Sequence, residues 1–168
     1  VPTIVATVGA ANANSYATTT EAAAYFTDRL QVSAWATNAD DQARALIMAT
    51  RRLDQFEFRG TKTTTTQALK WPRVDTFDED GEEYATNAIP TFVKHATFEQ
   101  ALAFLKANAE AYDPLAGDGL DRFDSVKIGP LAVEIGQSQQ STALAVYAHR
   151  LIRHVLASSG LVATLERM

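Results

Sequence analysis

Apolar residues recur along this 168-residue chain at helical spacing in four places, separated by stretches where that period is lost. The first follows Thr18-x-x-Glu21, a pair that reads as a capping box in which each residue bonds the other's backbone N–H. It predicts a helix to about Leu30, with Ala22, Tyr25, Phe26 and Leu30 turned inward. Asn38, followed by Asp40 and Asp41 at the positive end of a helix dipole, opens a second helix that ends near Phe56. There Ala43, Leu46, Ile47, Thr50 and Leu53 make the inward stripe, and Arg44, Arg51 and Arg52 lie largely off it. Pro90 suits the first turn of a third helix running to about Ala111, with Val93, Ala96, Leu102, Leu105 and Ala109 inside. The fourth, capped by Ser141 and ended by Gly160, carries Leu144, Tyr147, Ala148, Leu151, Ile152, Val155 and Leu156 at i, i+3, i+4, i+7 spacing.

The intervening stretches read differently. Thr61 through Thr66 is a threonine-rich extended loop, with Trp71-Pro72 a rigid anchor beyond it. Asp80-Gly81 suits a two-residue hairpin turn, with Val74, Phe77 and Tyr84 in the flanking arms. Ser125 to Ile135 is β-like: Val126 and Ile128 precede the Gly129-Pro130 break, and Leu131, Val133 and Ile135 alternate after it. Pro130 confines that spot to an edge or a turn. Residues 1–20 hold no charged side chain, and Thr3 to Val8 is rich in β-formers. Such an arm either adds as a strand to another sheet edge or packs on its own domain. The expected organisation is an extended arm over 1–14, one helical domain over 15–160 and a tail over 161–168. The domain would carry a loop and hairpin insertion at 56–89 and a β segment at 125–135.

A hydrophobic fraction of 46% with 21% charged residues fits a globular protein. The net charge of −5 gives a nucleic-acid strand no overall attraction. Without cysteine there are no disulfides, no thiol chemistry and no Cys-type zinc site. No apolar run approaches bilayer length, and Val1-Pro2-Thr3-Ile4-Val5 lacks the basic start of a signal peptide, so a soluble protein made in a cytoplasm is expected.

Few residues are set apart for chemistry. In the acidic run Asp75, Asp78, Glu79, Asp80, Glu82, Glu83, placing Gly81 at a calcium loop's glycine puts Asn87 where the bidentate acid belongs. A solvated hairpin tip or a charged partner contact fits that run better than a metal. His149 and His154 are five residues apart, off one helical face, and with Arg150 and Arg153 they read as a basic outer face. No nucleophile elbow and no phosphate-cradling glycine loop occurs, so neither enzyme activity nor a cofactor is expected. Only Phe56, Phe58, Arg59, Lys62, Lys70, Trp71 and Arg73 interleave rings with cations, as a stacking groove for single strands requires. The same rings better suit closing the core or a subunit interface.

An ordered set of short stretches carries a resemblance. Ser15-Tyr16-Ala17-Thr18 with Glu21-Ala22 and Tyr25-Phe26 comes first, then Ala45 through Asp54. Arg59-Gly60, Gln67-Ala68-Leu69 and Trp71-Pro72-Arg73 follow, then Ile89-Pro90 with Val93 and Ala96, and Lys127 through Leu131 with Val133-Glu134. Over about residues 12–156 this order resembles the head–tail adaptor (connector) family of tailed phages, whose members often carry the label "DnaT-like ssDNA-binding protein".

The resemblance implies a mainly α fold: a four-helix adaptor-type bundle with a small β-hairpin component and an extended N-terminal arm. It implies a structural protein without catalytic residues, forming a homo-oligomeric ring of about twelve copies below the portal. Its partners would be the portal protein and the tail, tail-terminator or nozzle proteins. Genomic duplex DNA would pass through the lumen without sequence-specific binding. The chain would sit in the virion neck, after assembly in the host cytoplasm, and no membrane is involved. The interface candidates are Trp71, Pro72 and Arg73, which fix the middle loop, together with Arg51, Arg52 and Arg59. The alternative is a DnaT-like single-stranded-DNA-binding protein.

Overall fold

A computed structural model describes residues 2–106, 126–128, 131–133 and 144–157. Four α-helices and two short antiparallel strand pairs follow in chain order, so the fold is mainly helical. The helices are α1 (Thr19–Thr27), α2 (Ala39–Leu53), α3 (Thr91–Lys106) and α4 (Val146–Ile152). Strands β1 (Thr61–Lys62) and β2 (Arg73–Val74) pair with each other, as do β3 (Val126–Ile128) and β4 (Leu131–Val133). Register Ile128↔Leu131 pairs the two stretches of the expected β segment antiparallel.

Both expected caps form. Thr18 Oγ1 accepts the Glu21 N–H at 3.2 Å, and the Glu21 carboxylate accepts the Thr18 N–H at 2.8 Å. Asn38 Oδ1 accepts the Asp41 N–H at 2.9 Å. Helix α1 stops at Thr27, however, and Leu30 is 84% exposed instead of inward. The chain takes a left-handed turn at Gln31 (φ 59°), then a 3-10 turn at Ser33–Trp35 seats Trp35 against Phe26. Pro90 lies just outside α3, where its carbonyl accepts the Val93 and Lys94 N–H groups at 3.0 and 3.2 Å. The expected end of that helix at Ala111 lies outside the described residues, as do Ser141 and Gly160.

Helix α3 is the central element and packs against α1, α2, α4 and the 3-10 turn. From Ala96 to Leu102 it is buried all round, as a helix with neighbours on every side must be. Two apolar clusters divide along it. One joins Val93 and Ala96 to Leu53, Trp71 and Ile152; the other joins Phe98 and Leu102 to Phe26 and Leu46. Glu99 is buried in its middle and is held by Arg29 Nε at 2.5 Å and Tyr25 Oη at 2.8 Å. That pair ties α1 to α3.

Helix α4 departs most from the expected stripe. Leu144 and Ala145 are non-helical, and α4 begins at Val146 with Ala145 in the N-cap position. The Ala145 N–H goes to Gln100 Oε1 at 2.7 Å, which anchors the entry to α3. Tyr147 is half exposed. After Ile152 the chain leaves the α-helix, and Leu156 pairs with Phe58 through Arg59 N–H to Val155 O and Ala157 N–H to Glu57 O, both 2.9 Å. The helical period of residues 153–156 yields to that pairing.

The N-terminal arm packs on its own domain. It doubles back at Thr7–Ala10, with Val5 N–H bonded to Asn14 Oδ1 at 2.8 Å and Ala68 N–H to Ala10 O at 3.1 Å. Among the described residues no helix is long and apolar enough to cross a membrane.

Burial opposes the charged form of Glu21, but bonds from Lys94 Nζ (2.5 Å) and Thr18 outweigh it and hold its pKa below the ordinary value. The unfolded chain takes up this proton first. The stabilisation is therefore present above the unfolded carboxyl range and is lost as pH falls through the lowered value. Urea midpoints measured from about pH 5 down to about pH 3 should fall more steeply for the wild type than for Glu21→Gln. Parallel curves would contradict the assignment. Leu102→Ala, which empties the core beside Phe98, should lower stability by about 2–5 kcal/mol in the same assay.

Candidate functional site

The middle loop is built by side chains standing in for a sheet. Gln67 is buried; its Nε2 donates to Leu69 O at 2.9 Å and Pro72 O at 3.0 Å, and its Oε1 accepts the Thr64 N–H at 3.0 Å. Lys70 Nζ reaches back to Phe56 O at 2.6 Å. The Trp71-Pro72 peptide is cis, and Trp71 is only 1% exposed, edge-on to Phe58 at 5.7 Å and to Phe92 at 5.6 Å.

Arg73 completes the loop. Its Nε donates to Arg59 O at 2.6 Å and its Nη1 to Lys70 O at 3.1 Å. Its Nη2 donates to Phe58 O at 3.1 Å and Gly60 O at 2.5 Å. Four carbonyls that no sheet satisfies thus converge on one planar fork. Burial draws the Arg73 pKa down, against the pull of Tyr16 and Asp54, yet the group stays cationic. Gly60 must be glycine here: its φ is +67°, and a Cβ would run into the Val74 carbonyl.

Beneath the loop, Tyr16 Oη donates to Asp54, whose other oxygen accepts the Lys70 N–H at 3.3 Å. Burial is the main reason the Tyr16 pKa stands well above its usual value, and the Asp54 charge adds to it. Burial also raises Asp54, although Tyr16 and Lys70 pull it the other way.

The interface candidates therefore separate. Trp71, Pro72, Arg73 and Arg52 are buried within the chain. Arg52 was expected off the inward stripe; instead it is 3% exposed, its stem packed away and its Nη1 bonded to Gln55 Oε1 at 3.0 Å. Arg51 and Arg59 are exposed. The ring-and-cation stretch divides likewise: Phe58, Trp71 and Arg73 face inward, and Arg59 and Lys62 face solvent. No run of exposed rings is left there for bases to stack on.

What the sequence did not reveal is the surface around the acidic hairpin. Its tip is wider than two residues. Asp78 N–H bonds Glu82 O, Gly81 N–H bonds Asp78 O, and Gly81 takes φ +85°, a three-residue loop with a bulge. Tyr84 pins the hairpin's second arm by a 3.0 Å hydrogen bond to His154 Nε2, with the Phe92 ring packed at an angle against both. His154 is therefore not part of the basic outer face, which keeps His149, Arg150 and Arg153. The Tyr84–His154 contact spans 70 residues, and nothing local in the sequence announces it.

Clefts open on two sides of that contact. One, about 280 Å³, is lined by Arg59, Phe77, His154 and hairpin carboxylates. The other, about 570 Å³, is a shallow apolar groove over Ile89, Phe92, His95 and Leu151. Burial lowers the His95 pKa, so the imidazole in that groove favours its neutral form. Among the described residues no cluster of three acidic or histidine side chains could hold a metal ion.

Arg73→Lys keeps the charge but has one nitrogen to serve four separated carbonyls. It should cost about 2 kcal/mol in urea unfolding and shift Trp71 emission to the red. An unchanged midpoint would show that the fork is not what holds the loop.

One protein-family model, described as "Putative DnaT-like ssDNA binding protein", matches residues 2–168. No curated protein and no solved structure matches the chain significantly.

Proposed function

The chain belongs to the family described as "Putative DnaT-like ssDNA binding protein", and from its geometry within that family we propose a structural interaction protein without catalysis. In this reading it is the head–tail adaptor of a tailed phage. Copies close into a ring below the portal, receive the tail and continue the DNA channel. The observation that carries the reading is the inward placement of Phe58, Trp71 and Arg73. The one stretch composed like a single-strand groove is used as an internal frame. The exposed features that remain suit protein contacts: an acidic hairpin, an apolar groove and a basic helix face. A closed ring needs two unlike faces on one subunit, which these features supply. The net charge of −5 suits a channel lining along which DNA slides without adhering.

A second reading, single-strand DNA binding, has the family description on its side, which supports it more directly than it supports an adaptor. Such binding would have to rest on exposed cations such as Arg51, Arg59 and Lys62.

Counting copies per purified virion by quantitative mass spectrometry tests the first reading. About twelve are expected of a neck ring, and none would end it. Titrating a labelled oligothymidine at low and moderate salt tests the second. The adaptor reading expects no saturable binding; strongly salt-dependent binding that Arg51→Gln/Arg59→Gln abolishes would establish the alternative.

A further inference from the structure

The cleft between the hairpin and the end of α4 is chemically lopsided. Asp75, Asp78 and Glu79 line it against the single guanidinium of Arg59. None of the four joins an ion pair among the described residues. The negative potential reaches the neighbouring Tyr84, whose phenol is pushed up first by burial and then by Asp78 and Glu79. Phe77, 53% exposed, also lines the cleft, as does the buried Val155. Thr76, only 2% exposed, contributes to the wall, and its hydroxyl has no hydrogen-bond partner. That hydroxyl lies behind the wall, out of reach from the cleft, so the groups open to an occupant are the carboxylates and the Phe77 ring.

Charge and shape select the occupant. A nucleic-acid strand is repelled by the carboxylates. A divalent ion needs oxygens converging on one point, and these carboxylates do not converge. An arginine side chain matches the open lining: a flat cation with five donors for the carboxylates, a face to lie on an aromatic ring, and an apolar stem.

We propose that this cleft receives an arginine side chain from a second copy of the chain, its guanidinium bonding Asp75 and Glu79 and stacking on Phe77. The second copy is the source because the chain presents exposed Arg51, Arg150 and Arg153 without ion-pair partners among the described residues. A ring brings one such face against a neighbour's hairpin. This choice of source rests on the ring reading; the guanidinium chemistry of the cleft does not.

The site is tested by NMR titration of the ¹⁵N-labelled protein with Nα-acetyl-arginine amide and, separately, its uncharged citrulline analogue. The expected result is saturable shifts at residues 75–79 and His154 with the arginine probe alone. Binding should weaken about tenfold in Asp75→Asn/Glu79→Gln. Both positions are exposed, and asparagine tolerates the positive φ of Asp75, so that variant should keep its fold. No shifts, or equal shifts with both probes, would overturn the site.

Sedimentation velocity tests the source. Self-association should weaken about tenfold in that same variant and in Arg51→Gln/Arg150→Gln/Arg153→Gln. Unchanged association, or none in the wild type, would overturn the second copy as donor and leave the probe result standing. Only the virion count bears on the adaptor reading itself.

Discussion

The guanidinium of Arg73 holds the least regular part of this protein in place. It gathers carbonyls from Phe58, Arg59, Gly60 and Lys70, four groups that lie between α2 and β2 and that no ladder pairs. With those oxygens satisfied, Phe58 can pair with Leu156 and Trp71 can close the core over α3. The end of α4 is then fixed beside the acidic hairpin. The Tyr84–His154 bond and both clefts follow from that placement. A buried charge is costly unless its donors are used, and here four of the five N–H groups are.

The same placement changes what the middle loop can mean. Interleaved rings and cations are the composition of a single-strand groove, and also that of a loop whose cations bond its own carbonyls while its rings fill the core. Exposure separates the two. Lys70 and Arg73 donate inward to backbone oxygens and Trp71 is sealed, so the residues that look most like a nucleic-acid site carry the architecture. The hairpin left outside is acidic. The proposed protein contacts would use that hairpin and its neighbouring clefts.

Features set by local chemistry were legible in the sequence. The Thr18–Glu21 box, the Asn38 cap, the inward Leu46 and Leu53, and the β-like stretches Val126–Ile128 and Leu131–Val133 each depend on residues a few positions apart. Features set by distant partners were not. Leu30 belongs to the apolar period of α1, yet the chain leaves the helix early so that Trp35 can reach Phe26. Arg52 looks like a surface residue by its charge, yet its guanidinium is buried with the rest of the side chain. Leu156 keeps the helical period of α4 but is extended, because Phe58, almost a hundred residues earlier, offers it a strand partner. Sequence spacing marked Trp71, Pro72 and Arg73 as a unit but could not tell a unit facing out from one facing in.

The central claim is that the ring-and-cation stretch is an internal frame. Tryptophan fluorescence of the Trp35→Phe protein, in which Trp71 alone reports, tests it most directly. A sealed frame gives blue-shifted emission that acrylamide quenches poorly and that oligothymidine leaves unchanged. Red-shifted, readily quenched emission, or quenching by oligothymidine that salt reverses, would mean that Trp71 is open to a strand, and the account would fail at its foundation.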